Sequence, residues 1–160
     1  MPQPTDKDAC ELLDADHIAV KHLFVEYARL AMAAPEASAV ERQRLAMKIC
    51  DELTVHAQIE EEIFYPALRQ AVPDAGDVVD EGIEEHQEAK ELIAQIRELG
   101  STGDEMDKLV SELARAIEHH VKEERDELFP KAKAASGMDL AALGAQMKER
   151  QAGLMGEAVA

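Results

Sequence analysis

Apolar residues recur along this chain at intervals of three and four, the spacing of one face of an α-helix, in four long stretches. The stripes run Leu13, His17, Val20, Phe24, Tyr27, Ala31; then Leu45, Ile49, Leu53, His56, Glu60, Ile63, Ala67; then Val79, Ile83, His86, Ala89, Ile93, Ile96; then Met106, Leu109, Leu113, Ala116, His120, Glu124, Leu128. Breakers divide them at Ala34-Pro35-Glu36, Pro73-Asp74-Ala75-Gly76, Gly100-Ser101-Thr102-Gly103 and Ser136-Gly137. The pattern predicts helices at about 9–33, 38–71, 77–99 and 104–135, with a short one near 139–152. Ser38-x-x-Glu41 and Thr102-x-x-Glu105 read as capping boxes at the starts of the second and fourth. Short connections favour an all-α, antiparallel up-down-up-down four-helix bundle with a short C-terminal helix. The expected organisation is a disordered N-terminus (1–8), the bundle (9–152) and a tail (153–160).

The stripes contain an anomaly, because each carries a histidine on the face that should be buried, and two also carry a glutamate. Burying a polar group without a partner costs about 1–3 kcal/mol, and an unpaired carboxylate far more. His17, His56, Glu60, His86, His120 and Glu124 therefore need partners. A polar network among themselves or a shared metal cluster would satisfy them. One histidine on an apolar stripe is ordinarily a satisfied core side chain; four on facing helices, two with a carboxylate at i+4, favour metal.

The chain also repeats itself. Asp16-His17-x-x-x-Lys21 is echoed by Glu85-His86-x-x-x-Lys90, and HAQIEEEIFYP (56–66) by HVKEERDELFP (120–130). Each half supplies a lone histidine and then a His-x3-Glu pair, an arrangement with approximate two-fold symmetry suited to two metals side by side. Residues four apart on a helix diverge by only about 40°, so each pair can chelate inward, the carboxylate bridging two ions while the imidazole binds one. Four imidazoles and two bridging carboxylates leave a six-coordinate ion room for an oxo or hydroxo bridge and a small exogenous ligand. The Glu-x-x-His of ferritin-like di-iron bundles and the HExxH of zinc proteases are both absent from the sequence.

Other residues near the stripes take plainer roles. Glu61 and Asp126 read as surface residues. His22 and His119 should face away from the site, being about 140° and 100° from His17 and His120. Asp16 and Glu85 either orient a neighbouring imidazole or lie at the surface, and Lys21 and Lys90 are expected to snorkel to solvent. Tyr27 and Tyr65 fall roughly 14 Å along their helices from His17 and His56, too far to ligate.

Composition narrows the partners. Aromatics make up 3% of the 160 residues and helix formers dominate, so sheet has little support. A formal charge of −17, with no basic cluster, argues against nucleic acid and anionic membranes. Cys10 and Cys50 form neither a CxxC pair nor a disulfide framework. With no apolar leader and no long apolar run, a cytoplasmic protein is expected, as a monomer or weak homodimer.

The ordered pattern H…HxxxE…H…HxxxE, at His17, His56-x3-Glu60, His86 and His120-x3-Glu124, resembles the hemerythrin-like, or HHE cation-binding, domains over about 9–152. The resemblance implies a non-haem di-iron centre, oxo- or hydroxo-bridged, with Glu60 and Glu124 bridging and the four histidines as terminal ligands. Imidazole and carboxylate also accept manganese or zinc. Oxygen-carrying members place a further histidine where this chain has Lys90, and His-x4-Asp where it has His120-x3-Glu124. The shorter set is more like the bacterial stress-response and iron-sensing members. It implies that a small diatomic or peroxide ligand is bound or turned over, possible catalase-like chemistry included, with a non-catalytic iron sensor or reservoir as the alternative.

Overall fold

The computed structural model describes residues 7–159, with side chains as far as 156. Its helices are α1 (Ala9–Ala33), α2 (Ala39–Ile59), α3 (Tyr65–Ala71), α4 (Gly76–Leu99), α5 (Asp104–Glu123), α6 (Phe129–Ala134) and α7 (Leu140–Val159). A π turn at Glu60–Phe64 joins α2 to α3 and a second at Glu124–Leu128 joins α5 to α6, so each pair is one continuous rod. A single 3-10 turn, Pro73–Ala75, leads into α4. No strand occurs among the described residues. Around the bundle α1 packs on α2 and α5, and α4 packs on α2 and α5, which is the up-down-up-down ring.

Helix limits follow the breakers, but the caps differ from expectation. Ser38 makes no cap; its hydroxyl donates to the Ala34 carbonyl (2.5 Å) and accepts from Arg42 Nε (2.9 Å). Arg42 is buried, and its guanidinium continues to Asp107 (2.6 Å), which also accepts from the Tyr27 hydroxyl (2.7 Å). Thr102 likewise reaches across to the Ala39 carbonyl (2.7 Å), leaving Gly103 at the α5 N-cap. Both serine and threonine are drawn into tertiary bonds that a local motif does not foresee. The capping box that does form is Asp8 with Glu11, at the start of α1. Of the N-terminus expected to be disordered, residues 1–6 lie outside the described residues, and Asp8 is a well-defined cap.

The last helix lies where the sequence reading expects one, and only its end differs. It runs to Val159 rather than ending near 152, and it packs along α1 and α2. Gly144 permits that docking: a Cβ there would lie 2.6 Å from the Lys7 carbonyl oxygen and 2.8 Å from the Asp8 carbonyl carbon, so the two backbones approach only because it is missing. No described helix is long and apolar enough to cross a membrane.

The π turns have an identifiable cause. Pro66 and Pro130 fall inside their rods, where a proline lacks the N–H of the α ladder and crowds the carbonyl four residues back. In both rods the preceding residue bonds five back, Tyr65 to the Glu60 carbonyl and Phe129 to that of Glu124. The extra residue shifts the buried face by one position: Phe64, Tyr65 and Leu68 are buried where the α-helical stripe predicted Ile63 and Ala67.

The core is split in two. One apolar cluster, with Leu13, Ile59, Phe64, Leu68, Leu128 and Phe129, fills one end of the bundle. A second, with Val20, Leu45, Ile49, Ile93, Met106 and Leu113, fills the other. Between them lies a layer of buried polar side chains.

Candidate metal centre

That layer consists of the six residues singled out by the stripes. His17, His56, His86 and His120 are buried, and Glu60 and Glu124 have no exposure at all. They fall into two triads, His17/His56/Glu124 and Glu60/His86/His120, each offering ligand atoms within 4.8 Å of one another. Within the first, the Nε2 atoms of His17 and His56 are 3.2 Å apart and His17 Nε2 is 3.2 Å from Glu124 Oε1. In the second, the Nε2 atoms of His86 and His120 are 3.1 Å apart and His86 Nε2 is 3.2 Å from Glu60 Oε1.

The carboxylates connect the triads. Glu60 Oε1 is also 2.9 Å from His56 Nε2, and Glu124 Oε1 is 3.0 Å from His120 Nε2. Each glutamate thus touches imidazoles of both triads, the placement of a bridging ligand. Donor separations of this size are the edges of a coordination polyhedron with bonds of about 2.0–2.2 Å. Glu60 Oε2 and Glu124 Oε2 are buried without a hydrogen-bond partner among the described residues, and Glu124 Oε1 meets only the inward nitrogens of His17 and His120. Orphaned carboxylate oxygens at the centre of a bundle would be costly in a finished polar network, and a cation resolves that cost. The residues therefore fit a pair of metal ions.

In the absence of a cation, protons take its place. Burial alone would lower the His56 imidazole, but the Glu60 charge and the hydrogen bond it donates to Asp16 outweigh it and lift it to about 10. His120 is similarly lifted, against burial, by Glu124, Glu60 and Glu85, to about 12. Burial would raise Glu60, yet the charge on His56 and the hydrogen bonds it accepts from His120 and His56 hold it well below the usual carboxylate range.

The outer nitrogens of three imidazoles are held by carboxylates. Asp16 on α1 meets His56 Nδ1 (3.1 Å) and Glu85 on α4 meets His120 Nδ1 (2.8 Å). Neither orients the histidine beside it in sequence. Adjacent helical residues diverge by about 100°, so each reaches the neighbouring helix instead. Glu61, expected at the surface, is half-buried and meets His86 Nδ1 (3.2 Å). Lys90 turns outward as expected and pairs with Glu61 (3.1 Å). His17 is the exception: its Nδ1 has no hydrogen-bond partner, Asp14 standing 3.7 Å away. His22 and His119 are exposed, although His119 Nε2 does reach Glu85 (3.2 Å).

Tyr65 departs most from the sequence reading. Its hydroxyl lies 3.4 Å from His86 Nε2 and 3.5 Å from His120 Nε2, and its ring stacks on His86 with centroids 5.4 Å apart. Distance along its own helix from His56 was the wrong measure: the π turn places it on the face of Glu60, five residues back, and its long side chain reaches histidines of two other helices. A Cβ on Gly82 would lie 2.9 Å from that hydroxyl. Glycine inside a helix costs about 1 kcal/mol relative to alanine, and here it makes room for the phenol. The matching echoes HAQIEEEIFYP and HVKEERDELFP were the available signal, since they pair Tyr65 with Phe129.

A small pocket opens beside the imidazoles, walled by Val20, Leu53, Ala89, Ile93 and Ile117 and with room for a water-sized molecule; Lys90 is at its edge.

Comparison with known proteins agrees with this geometry. The family model for the hemerythrin HHE cation binding domain matches residues 8–132. A DNA nickase from Nostoc sp. is 31% identical over 130 residues, 79% of this chain, and the chain spans 35% of that relative's length. A hemerythrin HHE cation binding domain-containing protein from Mycobacterium kansasii has the same fold, with a TM-score of 0.76 over 96% of this chain and 90% of that one, at 23% identity.

Proposed function

The chain belongs to the hemerythrin HHE cation-binding family, and from that premise we propose that its two triads hold a pair of iron ions that bind and turn over a small oxidant, oxygen or hydrogen peroxide. The observation that carries this reading is the contact of each buried glutamate with imidazoles of both triads. Such a pair, when bound, supplies two adjacent redox-active Lewis acids.

The protein's own residues do the rest. Glu60 and Glu124 hold the two positions side by side, and the four imidazoles enter through Nε2. Asp16, Glu61 and Glu85 fix three of those rings by accepting from Nδ1–H, which sets the tautomer that leaves Nε2 free to bind. The adjacent pocket is narrow and largely apolar, which favours a ligand of only a few atoms such as a diatomic or a peroxide. Lys90 stands where oxygen-carrying members place an additional imidazole and is engaged by Glu61 outside the centre, so it would not complete the ligand set of a bound pair, which favours turnover over reversible carriage.

The activity named for the Nostoc relative is not carried over, because a formal charge of −17 opposes a phosphate backbone and the chain corresponds to only part of that protein. The test is metal analysis of protein purified without chelator, followed by oxygen evolution from peroxide. Two irons per chain and peroxide loss that vanishes in a Glu60→Ala/Glu124→Ala double variant are expected. One iron or fewer in iron-replete protein would overturn the two-metal reading. Two irons with no peroxide loss and a long-lived, reversible oxygen adduct would overturn turnover.

A further inference from the structure

The two halves of the site are related by the chain's internal repeat, and they differ at the ring that stacks on the lone histidine and at the residue four before that histidine. In one half Phe129 stacks on His17, with centroids 6.0 Å apart and planes 13° from parallel. In the other, Tyr65 stacks on His86, at 5.4 Å and 19°. Phe129 and Tyr65 occupy equivalent places, each directly before the proline that follows a π turn. The position four before the lone histidine differs in step: Leu13 precedes His17, and Gly82 precedes His86. Only the half with the hydroxyl has the glycine that makes space for it.

We propose that the Tyr65 oxygen is a fourth protein donor to the metal of the Glu60/His86/His120 triad, and that Gly82 is the residue that positions it, making the two metal positions unequal. This rests on the two-metal reading above. The distances carry the assignment. Glu60 Oε1, His86 Nε2, His120 Nε2 and the Tyr65 hydroxyl are separated by 3.1, 3.2, 3.4, 3.5 and 3.8 Å in the five pairs the geometry gives. These are the spacings of four donors around one ion with bonds of about 2.0–2.2 Å. On binding, the phenol O–H bond gives way to an oxygen–metal bond and the proton passes to solvent. The other triad faces the donorless ring of Phe129, so the exchangeable position for a small ligand falls on the His17/His56/Glu124 side.

The test uses the full chain loaded with iron, as wild type, Tyr65→Phe and Gly82→Ala, with iron content, circular dichroism, visible absorption and resonance Raman spectra recorded for each. Wild type should show a phenolate-to-iron charge-transfer band with the ring vibrations of a bound tyrosinate. Tyr65→Phe should lose both while keeping its helix content and its iron on the His17 side, since Phe129 already fills the matching place. Gly82→Ala should shift or abolish the band, and it supplies the answer should Tyr65→Phe fail to fold. Tyrosinate vibrations that persist in Tyr65→Phe, or a two-iron wild type without them, would overturn the assignment alone. A wild type that takes up no iron would bring down the two-metal reading beneath it.

Discussion

A metal-bound imidazole has two nitrogens to satisfy, and the partner of the outer one decides which tautomer faces the metal. Three of the four histidines meet this need with a carboxylate from a neighbouring helix, and the repeat explains the pairing: Asp16 serves His56 as Glu85 serves His120. Asp16 is itself held by Gln151 of α7 (2.9 Å), so the added helix braces a residue in contact with the centre. Asp16→Asn and Glu85→Gln should each weaken metal binding by about 10–100-fold, the usual cost of losing such a partner. Asp14→Asn, whose carboxylate stands off from His17 at 3.7 Å, should change it little. Competition titrations against a chelator of known affinity would measure this, and equal losses from all three would show that general charge, not orientation, governs affinity. The six inward residues were legible because burying them violates the helical pattern. Their carboxylate partners were not, because Asp16, Glu61 and Glu85 lie off the stripe and choose partners across helix boundaries.

At the scale of the element, the informative feature is the pair of π turns. A period of 3.6 describes α1 and α4 well, and their limits and buried residues follow from it. It fails after Glu60, where Phe64 and Leu68 rather than Ile63 and Ala67 turn inward, because the rod absorbs one extra residue ahead of Pro66. The proline was visible in the sequence, but it was taken as part of an echo rather than as the cause of a widened turn. If accommodating the proline is the reason for the turn, deleting an exposed residue of it should be tolerated only when the proline goes too. Deleting Asp126, whose side chain makes only an exposed pair with Lys122, returns Phe129 to a four-residue spacing from Glu124 and keeps the register beyond it. With Pro130 in place the closed turn meets the full proline penalty, about 3 kcal/mol. Combined with Pro130→Ala, most of that loss should be recovered. Urea unfolding of the two variants measures the difference, and equal stabilities would mean that something other than proline holds the turn open.

For the molecule as a whole, the centre couples stability to pH in opposite directions with and without metal. In metal-free protein His56 and His120 are lifted from an ordinary 6.5 to about 10 and about 12, so the fold holds protons that the unfolded chain releases. Their contribution is complete below 6.5 and is lost as pH rises through about 10 for His56 and about 12 for His120. Glu60 is held below its ordinary 4.5, so its contribution is complete above 4.5 and is lost as the solution becomes more acid. Metal-free protein should therefore be most stable between 4.5 and 6.5 and should weaken steadily toward pH 10. Metal reverses the upper slope, because it binds deprotonated imidazoles and displaces the protons that filled the site. Loading adds stability according to how far free metal exceeds its Kd, about 2.7 kcal/mol per site at a hundredfold excess, and the Kd falls as pH rises. Melting curves from pH 5 to 10, with and without chelator, should thus diverge with increasing pH, with the gap smallest on the acid side. Parallel curves, or a gap that narrows as pH rises, would show that protons and metal do not compete for these imidazoles and that the buried layer is a polar network complete in itself.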